Sequence, residues 1–251
     1  MRRLIAFASL TMALTTASGG ARAADYVLAM SWEPAFCALQ AAKGRAGDKP
    51  ECGTRLPSSY GATNFILHGL WPQPESNSYC GVPADIRQYD VPGQWDKLPA
   101  VQYGKDGTKA EMATYMPGAV SYLDRHEWTK HGTCSKMIPD DYFTLGFGLV
   151  KEMANTRTAK LIAANIGKDV QSSKLCDSLA ADFGSTIMKS AEIKTSQVTR
   201  NGRKQTVMSE IWIYLTDRED GKLALSPFHL ATGYGTLKCG NQPLRVVASG
   251  G

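Results

Sequence analysis

Histidine is scarce in this 251-residue chain, with four residues at 68, 126, 131 and 229. No two cysteines stand in a CxxC pair, which argues against a zinc knuckle or a thioredoxin-like redox site. Beyond the first two dozen residues nothing stays apolar for the roughly 18 residues that a membrane-crossing helix needs. Net charge is also small. The formal +5 includes Arg2, Arg3 and Arg22, and a chain without those three carries +2. Attraction to a polyanion must therefore come from local clusters rather than a basic whole. Repeats, low-complexity runs and linkers are absent, so a single domain is expected over residues 24–251. Hydrophobic residues at 43% and charged residues at 20% are ordinary for a globular chain, and the length suffices for a sizeable core.

Arg2-Arg3, the short apolar run from Leu4 to Leu14 and the small-x-small triplet Ala21-Arg22-Ala23 form the three parts of a secretory signal peptide. Residues 1–23 are read as a cleaved leader, and the remainder as exported. Six cysteines follow, at 37, 52, 80, 134, 176 and 239. An even number in an exported chain suggests three disulfides, although spacing alone leaves 15 pairings open.

The hydrophobic pattern predicts an α+β domain, a central, mainly antiparallel sheet flanked by helices. Tyr26–Trp32 reads as a buried strand ending at Pro34. Residues 40–60 read as a loop. Asn64–His68 reads as a second strand, ended by Leu70-Trp71-Pro72 because proline cannot donate to a ladder. Residues 72–108 are rich in turn formers and predict irregular structure, with a short helical turn near Asp85–Tyr89. A helical pattern runs from Ser121 to Gly132. A further helix is capped by Asp140 or Asp141, another starts at Thr156 or Thr158, and an amphipathic one spans Ser172–Phe183 and stops at Gly184. Segments 192–199 and 205–216 flank the hairpin signal Asn201-Gly202. Ile211–Leu215 reads as a central strand, Asp220-Gly221 as a turn, and Leu244–Val247 as an edge strand.

Two stretches carry chemistry. His126-Glu127-Trp128-Thr129-Lys130-His131-Gly132-Thr133-Cys134 packs two imidazoles, a carboxylate and an ammonium into six residues. At about 100° per helical residue, His126, Lys130, Glu127 and His131 share one arc of about 140°, with Trp128 and Thr129 off it. Phosphodiester cleavage needs that inventory: a base, an acid and positive charge at the transition state. Histidine serves as either near neutrality. A zinc protease motif needs histidines at i and i+4, whereas these stand at i and i+5 with Lys130 between them, so they converge poorly on a tetrahedral ion. The bland alternative is a solvated helix face with a Glu127–Lys130 surface pair. His68, in Phe65-Ile66-Leu67-His68-Gly69-Leu70-Trp71-Pro72, is by itself most simply a core histidine, and the isolated His229 a structural one.

Together these two stretches resemble the two active-site segments of the ribonuclease T2 family, in order and at a compatible separation. The opening Tyr26–Cys37 is similar to the family's first strand, particularly in bacterial members, and Ser209-Glu210-Ile211-Trp212-Ile213 to its late strand. The resemblance implies an exported endoribonuclease of low base specificity, periplasmic or extracellular, monomeric, needing no cofactor and no metal. Single-stranded RNA is the implied partner, without DNA cleavage and without a membrane once the leader is gone. It implies attack by the 2′-hydroxyl to give a 2′,3′-cyclic phosphate, with hydrolysis to a 3′-phosphate as the second step. His131 is the implied base of the first step and His68 its acid, with a bell-shaped pH profile near or below neutrality. Glu127 and Lys130 would stabilise the transition state and His126 would hold the phosphate. Trp71 and Tyr79 match base-stacking positions. Gln73 stands where several members carry an acidic residue, which puts purine preference in doubt. Ser31 and Glu33 differ from the glutamine of some members, and the usual late cysteine is missing at Tyr214 and Leu215. The resemblance also implies Cys80–Cys134, and with it Cys37–Cys52 and Cys176–Cys239. A catalytically weak relative that binds RNA or a partner, and a zinc-dependent hydrolase, are the rival readings.

Overall fold

The computed structural model describes residues 24–53, 59–200, 202–217 and 222–250. The expected leader and the expected turn at Asp220-Gly221 lie outside these residues, as does Asn201, whose neighbour Gly202 holds the positive φ a tight hairpin requires.

The sheet is built on β1 (Tyr26–Ser31), whose residues Val27 to Met30 are all buried. It pairs antiparallel with β2 (Ile66–Pro72) on one side and with β5 (Arg203–Leu215) on the other. β5 in turn pairs with β4 (Ala191–Arg200) through the expected hairpin. Beyond β5 come β6 (Pro243–Arg245) and the outermost β3 (Asp169–Gln171). The tail strand is therefore not the edge expected for it. It lies between β5 and β3, parallel to the first and antiparallel to the second. The second strand also runs further than expected, through Leu70 and Trp71 to Pro72. It ends the strand order at that side, so a proline without an N–H removes no ladder bond there.

Helices cover the sheet. α1 (Glu33–Ala42) was not foreseen: Pro34 lies in its first turn, where a missing N–H has no partner to lose, so the proline begins a helix as well as ending a strand. Two single-turn helices follow, α2 (Pro50–Gly53) and α3 (Tyr60–Thr63), in place of a plain loop. α4 (Ala84–Asp90) matches the expected turn, and α5 (Asp106–Tyr115) grows out of the irregular stretch. The expected helix from Ser121 is broken into three. A 3-10 turn ends at Ser121, Tyr122 is left-handed at φ 65°, and α6 spans Leu123–Lys130 before a second 3-10 turn at Gly132–Cys134.

α7 (Pro139–Ala154) buries Tyr142, Phe143, Phe147, Val150 and Met153 against the sheet, each worth roughly 1.5–3 kcal/mol. Neither Asp140 nor Asp141 caps it, since Ile138 holds the N-cap position. The Asp140 carboxylate accepts from the Gly104 and Lys105 amides and from Thr108 Oγ1, pinning the start of α5 to α7. Thr156 does cap α8 (Arg157–Ala164), accepting from the Ala159 amide at 3.0 Å. α9 spans Ser172–Phe183 and stops at Gly184, as its pattern requires. The three disulfides are Cys37–Cys52, Cys80–Cys134 and Cys176–Cys239. Among the described residues no helix is long and apolar enough to cross a membrane.

Candidate active site

His68 owes its direction to an irregularity. Ala29 pairs with Gly69 and the next residue, Met30, pairs with Leu67, so His68 is the extra residue of a bulge in β2. Side chains alternate along a regular strand, which would send His68 and Trp71, three apart, to opposite faces. The bulge re-aims one of them, and both line the same cavity. On β5 the regular alternation does the rest. Ile211, Ile213 and Leu215 are fully buried in the core, while Glu210, Trp212 and Tyr214 face the other way.

α6 crosses this face and brings the second stretch. His126, Lys130 and His131 line the cavity together with His68, Trp71, Gln73 and Trp212, around about 520 Å³. Glu127 lies beneath them with no exposed side-chain surface, so it is not the partner in a solvated surface pair. Its Oε2 accepts from Trp71 Nε1 at 2.7 Å. Its Oε1 has no hydrogen-bond partner and stands 3.7 Å from His68 Nε2 and 3.8 Å from His126 Nε2. Gly69 makes room for this arrangement, since a Cβ there would collide with Glu127 Oε2 and Trp71 Nε1. α6 ends at Lys130, and His131 is its C-cap at φ −115°, ψ −50°. His131 therefore turns off the helical arc, and its ring stacks on Trp71 at 5.3 Å and meets His126 edge-on at 6.2 Å. Cys80–Cys134 ties the loop after β2 to the turn after α6, and the Tyr79 amide donates to Lys130 O at 2.8 Å.

Two carboxylates that the motifs do not contain complete the site. Glu210 Oε1 is 2.8 Å from His68 Nδ1, and Asp90 Oδ1 is 2.7 Å from His126 Nδ1. Trp95 stacks on His126 at 4.5 Å. Asp90 also accepts from Tyr79 Oη at 2.6 Å, so Tyr79 stands behind His126 and is not among the cavity's walls. Trp71 is on the wall, but wedged among His68, His131 and Trp212. Gln73 holds only long contacts to backbone oxygens, leaving its amide facing the cavity. His229 is remote, with Nδ1 2.9 Å from Ser226 Oγ.

The two central histidines are driven apart in proton affinity. Burial works against a charged His68, but the hydrogen bond and charge of Glu210, helped by Glu127, outweigh it and push its pKa from 6.5 to about 8. Burial of His131, reinforced by positive charge at Lys130, His126 and His68, pushes its pKa down to about 3. Near neutrality one imidazole is protonated and the other is free base, which is the arrangement acid–base chemistry needs at a single site. Burial raises the carboxyl of Glu127 against the pull of the neighbouring histidines. Burial also opposes ionisation of Glu210 and Asp90, yet their histidine hydrogen bonds win and hold both below the usual carboxylate range. Among the described residues no three His, Cys, Asp or Glu side chains converge as metal ligands.

Comparison with known proteins agrees with the motifs. The chain is 30% identical over 185 residues to Ribonuclease I of Escherichia coli, covering 67% of this chain and 68% of that protein. It is 32% identical over 124 residues to a ribonuclease of Aeromonas hydrophila, covering 49% of this chain and 43% of that one, so the match spans less than half of the Aeromonas protein. Among solved structures, the self-incompatibility-associated SF11-RNase of Nicotiana alata superposes with a TM-score of 0.50 at 16% identity, over 81% of this chain and 98% of that one, which speaks to the fold. A model of the ribonuclease T2 family matches residues 24–225. The chain belongs to the ribonuclease T2 family of RNA endonucleases.

Proposed function

We propose that this protein cleaves single-stranded RNA by transphosphorylation, with His131 as base and His68 as acid. The observation that carries the reading is the placement of these two imidazoles on one cavity, His68 hydrogen-bonded to a carboxylate and His131 buried among positive charges, surroundings that drive their proton affinities apart. In the first step neutral His131 takes the proton of a ribose 2′-hydroxyl. The oxygen attacks the adjacent phosphorus, and protonated His68 delivers its Nε2 proton to the departing 5′-oxygen. The products are a 2′,3′-cyclic phosphate and a 5′-hydroxyl, and both histidines have exchanged states. Water then opens the ring to a 3′-phosphate with the roles reversed. Lys130 supplies positive charge on the cavity wall for the phosphorane-like transition state, Glu127 acts beside it from below, and His126, oriented by Asp90, binds phosphate. Trp71 and Gln73 face the base; Tyr79 acts at one remove, through Asp90.

The reading invokes no metal and no cofactor. The rings of His126 and His131 meet edge-on at 6.2 Å, a poor pair of ligands for one ion. The leader-like pattern at 1–23 and the three disulfides support export to the periplasm or beyond.

A single-stranded DNA oligonucleotide carrying one ribonucleotide tests the substrate. It should be cut only on the 3′ side of that ribose, at an undiminished rate in EDTA, and the all-deoxy strand should stay intact. Cleavage of the all-deoxy strand, or EDTA inactivation reversed by zinc, contradicts the proposal.

A further inference from the structure

We propose that Glu210 is a positioning residue for this reaction: it orients the His68 ring so that Nε2 faces the phosphate, and keeps that ring in its acid form. The inference rests on the assignment of His68 as the acid.

Three donors converge on this one side chain. His68 Nδ1 is 2.8 Å from Oε1, Ser31 Oγ donates to the same oxygen at 3.1 Å, and Trp212 Nε1 donates to Oε2 at 2.6 Å. An ionised carboxylate accepts on both oxygens with no proton of its own to place. An amide of the same shape would turn an N–H toward one of the three donors. The sheet register makes the reach possible. Glu210 on β5 pairs with Ser31 on β1, and His68 lies on β2 across β1. The short side chain of Ser31 leaves the passage open. With Nδ1–H committed to Glu210, Nε2 is the ring nitrogen left for substrate, and after the proton leaves Nε2 the remaining neutral tautomer is the one that Glu210 already binds.

Other charges also face this ring. Glu127 and Lys130 of α6 act on it with opposite sign. Behind it a second cavity, lined in part by Glu33, Lys49 and Glu51, also touches His68 and Glu210. Glu210 alone among these makes a hydrogen bond to the ring. A carboxylate held mostly out of water, with 21% of its side chain exposed, is costly to keep where packing alone would suffice, which favours a task for its charge.

The test follows His68 in the intact protein by ¹⁵N NMR of the histidine rings, alongside the pH dependence of kcat on single-stranded RNA. In the wild type His68 should titrate near 8 and, once neutral, carry its proton on Nδ1. In Glu210→Gln the midpoint should drop by about one unit or more, toward the unperturbed value of about 6.5. The alkaline limb of kcat should move with it, giving roughly a tenfold loss near pH 8 that recovers at lower pH, with KM little changed. Glu210→Asp, which keeps the charge, should recover part of the shift. A wild-type His68 that titrates at or below 6.5 or carries its neutral proton on Nε2 overturns the proposal. So does a Glu210→Gln enzyme that loses the same factor at every pH while its His68 midpoint stays put. Full activity in His68→Ala would instead sink the acid assignment, and leaves the NMR result readable.

Discussion

His131→Ala should lower kcat on RNA by about 10²–10⁴-fold, roughly 3–5 kcal/mol of transition-state stabilisation, with KM changed only a few-fold. The reason is positional. His131 is free base across the neutral range, because burial and the charges of Lys130, His126 and His68 disfavour its proton. No neighbour can take over, since His68 is held protonated by Glu210 and Glu127 and His126 commits Nδ1 to Asp90. His68→Ala should cost a similar factor for the complementary reason. The double variant should be little worse than either single one, because groups that act as a unit do not add. Steady-state kinetics of the three variants, with thermal melting as the control for folding, checks this. A His131→Ala enzyme within about fivefold of wild type would contradict the base assignment.

The rate should depend on pH as a broad bell whose alkaline limb lies near 8 and whose acid limb lies well below neutrality. The signs follow from the two shifts. The reaction needs His68 protonated, so rate is lost as pH rises through about 8, by about tenfold per unit beyond it. It needs His131 neutral, so rate is lost only as pH falls toward about 3. Bound phosphate raises the second value, since anionic substrate favours imidazolium, and the optimum falls at or below neutral pH. Stability responds in the same language. The raised pKa of His68 contributes stability that is fully present below its unfolded value of about 6.5 and is lost as pH rises through 8. The lowered pKa of His131 acts the other way. The unfolded state takes up a proton below about 6.5 that the native state refuses until about 3, so this group costs stability as pH falls through that window. A kcat profile from pH 3 to 10 checks the rate, and a rate still rising at pH 9 contradicts the mechanism.

Which parts of this were legible in the sequence depended on how local their causes are. Gly184 stops α9 and Thr156 caps α8 by contacts within a turn, so the helix boundaries could be read from neighbouring residues. The two active-site stretches announced themselves by residue type, and the disulfide pairing came with the family likeness. What could not be read depends on partners far along the chain. The bulge at His68 exists only in register with β1, and alternation along β2 alone sends His68 and Trp71 to opposite faces. Glu210 lies 142 residues from His68, and Asp90 lies 36 from His126, with no motif linking either pair. The one available signal was Glu210 itself, a charge in a strand otherwise suited to the core, where a half-buried carboxylate needs a partner. Pro34 misled for a different reason: a proline that ends a strand is equally suited to the first turn of a helix, and only the chain beyond it decides. Asp140 resembled a cap, but its acceptors were needed more by the loop at Gly104 and Lys105.

The central claim is that His131 and His68 cleave RNA through its own 2′-hydroxyl, and the ends of the product report this most directly. A labelled single-stranded RNA, cut briefly in EDTA and resolved by mass spectrometry, should yield fragments ending in a 2′,3′-cyclic phosphate whose partners begin with a 5′-hydroxyl. On longer incubation the cyclic ends should convert to 3′-phosphates. Fragments with 3′-hydroxyl and 5′-phosphate ends would mean that water or another external nucleophile attacked first, and would contradict the account.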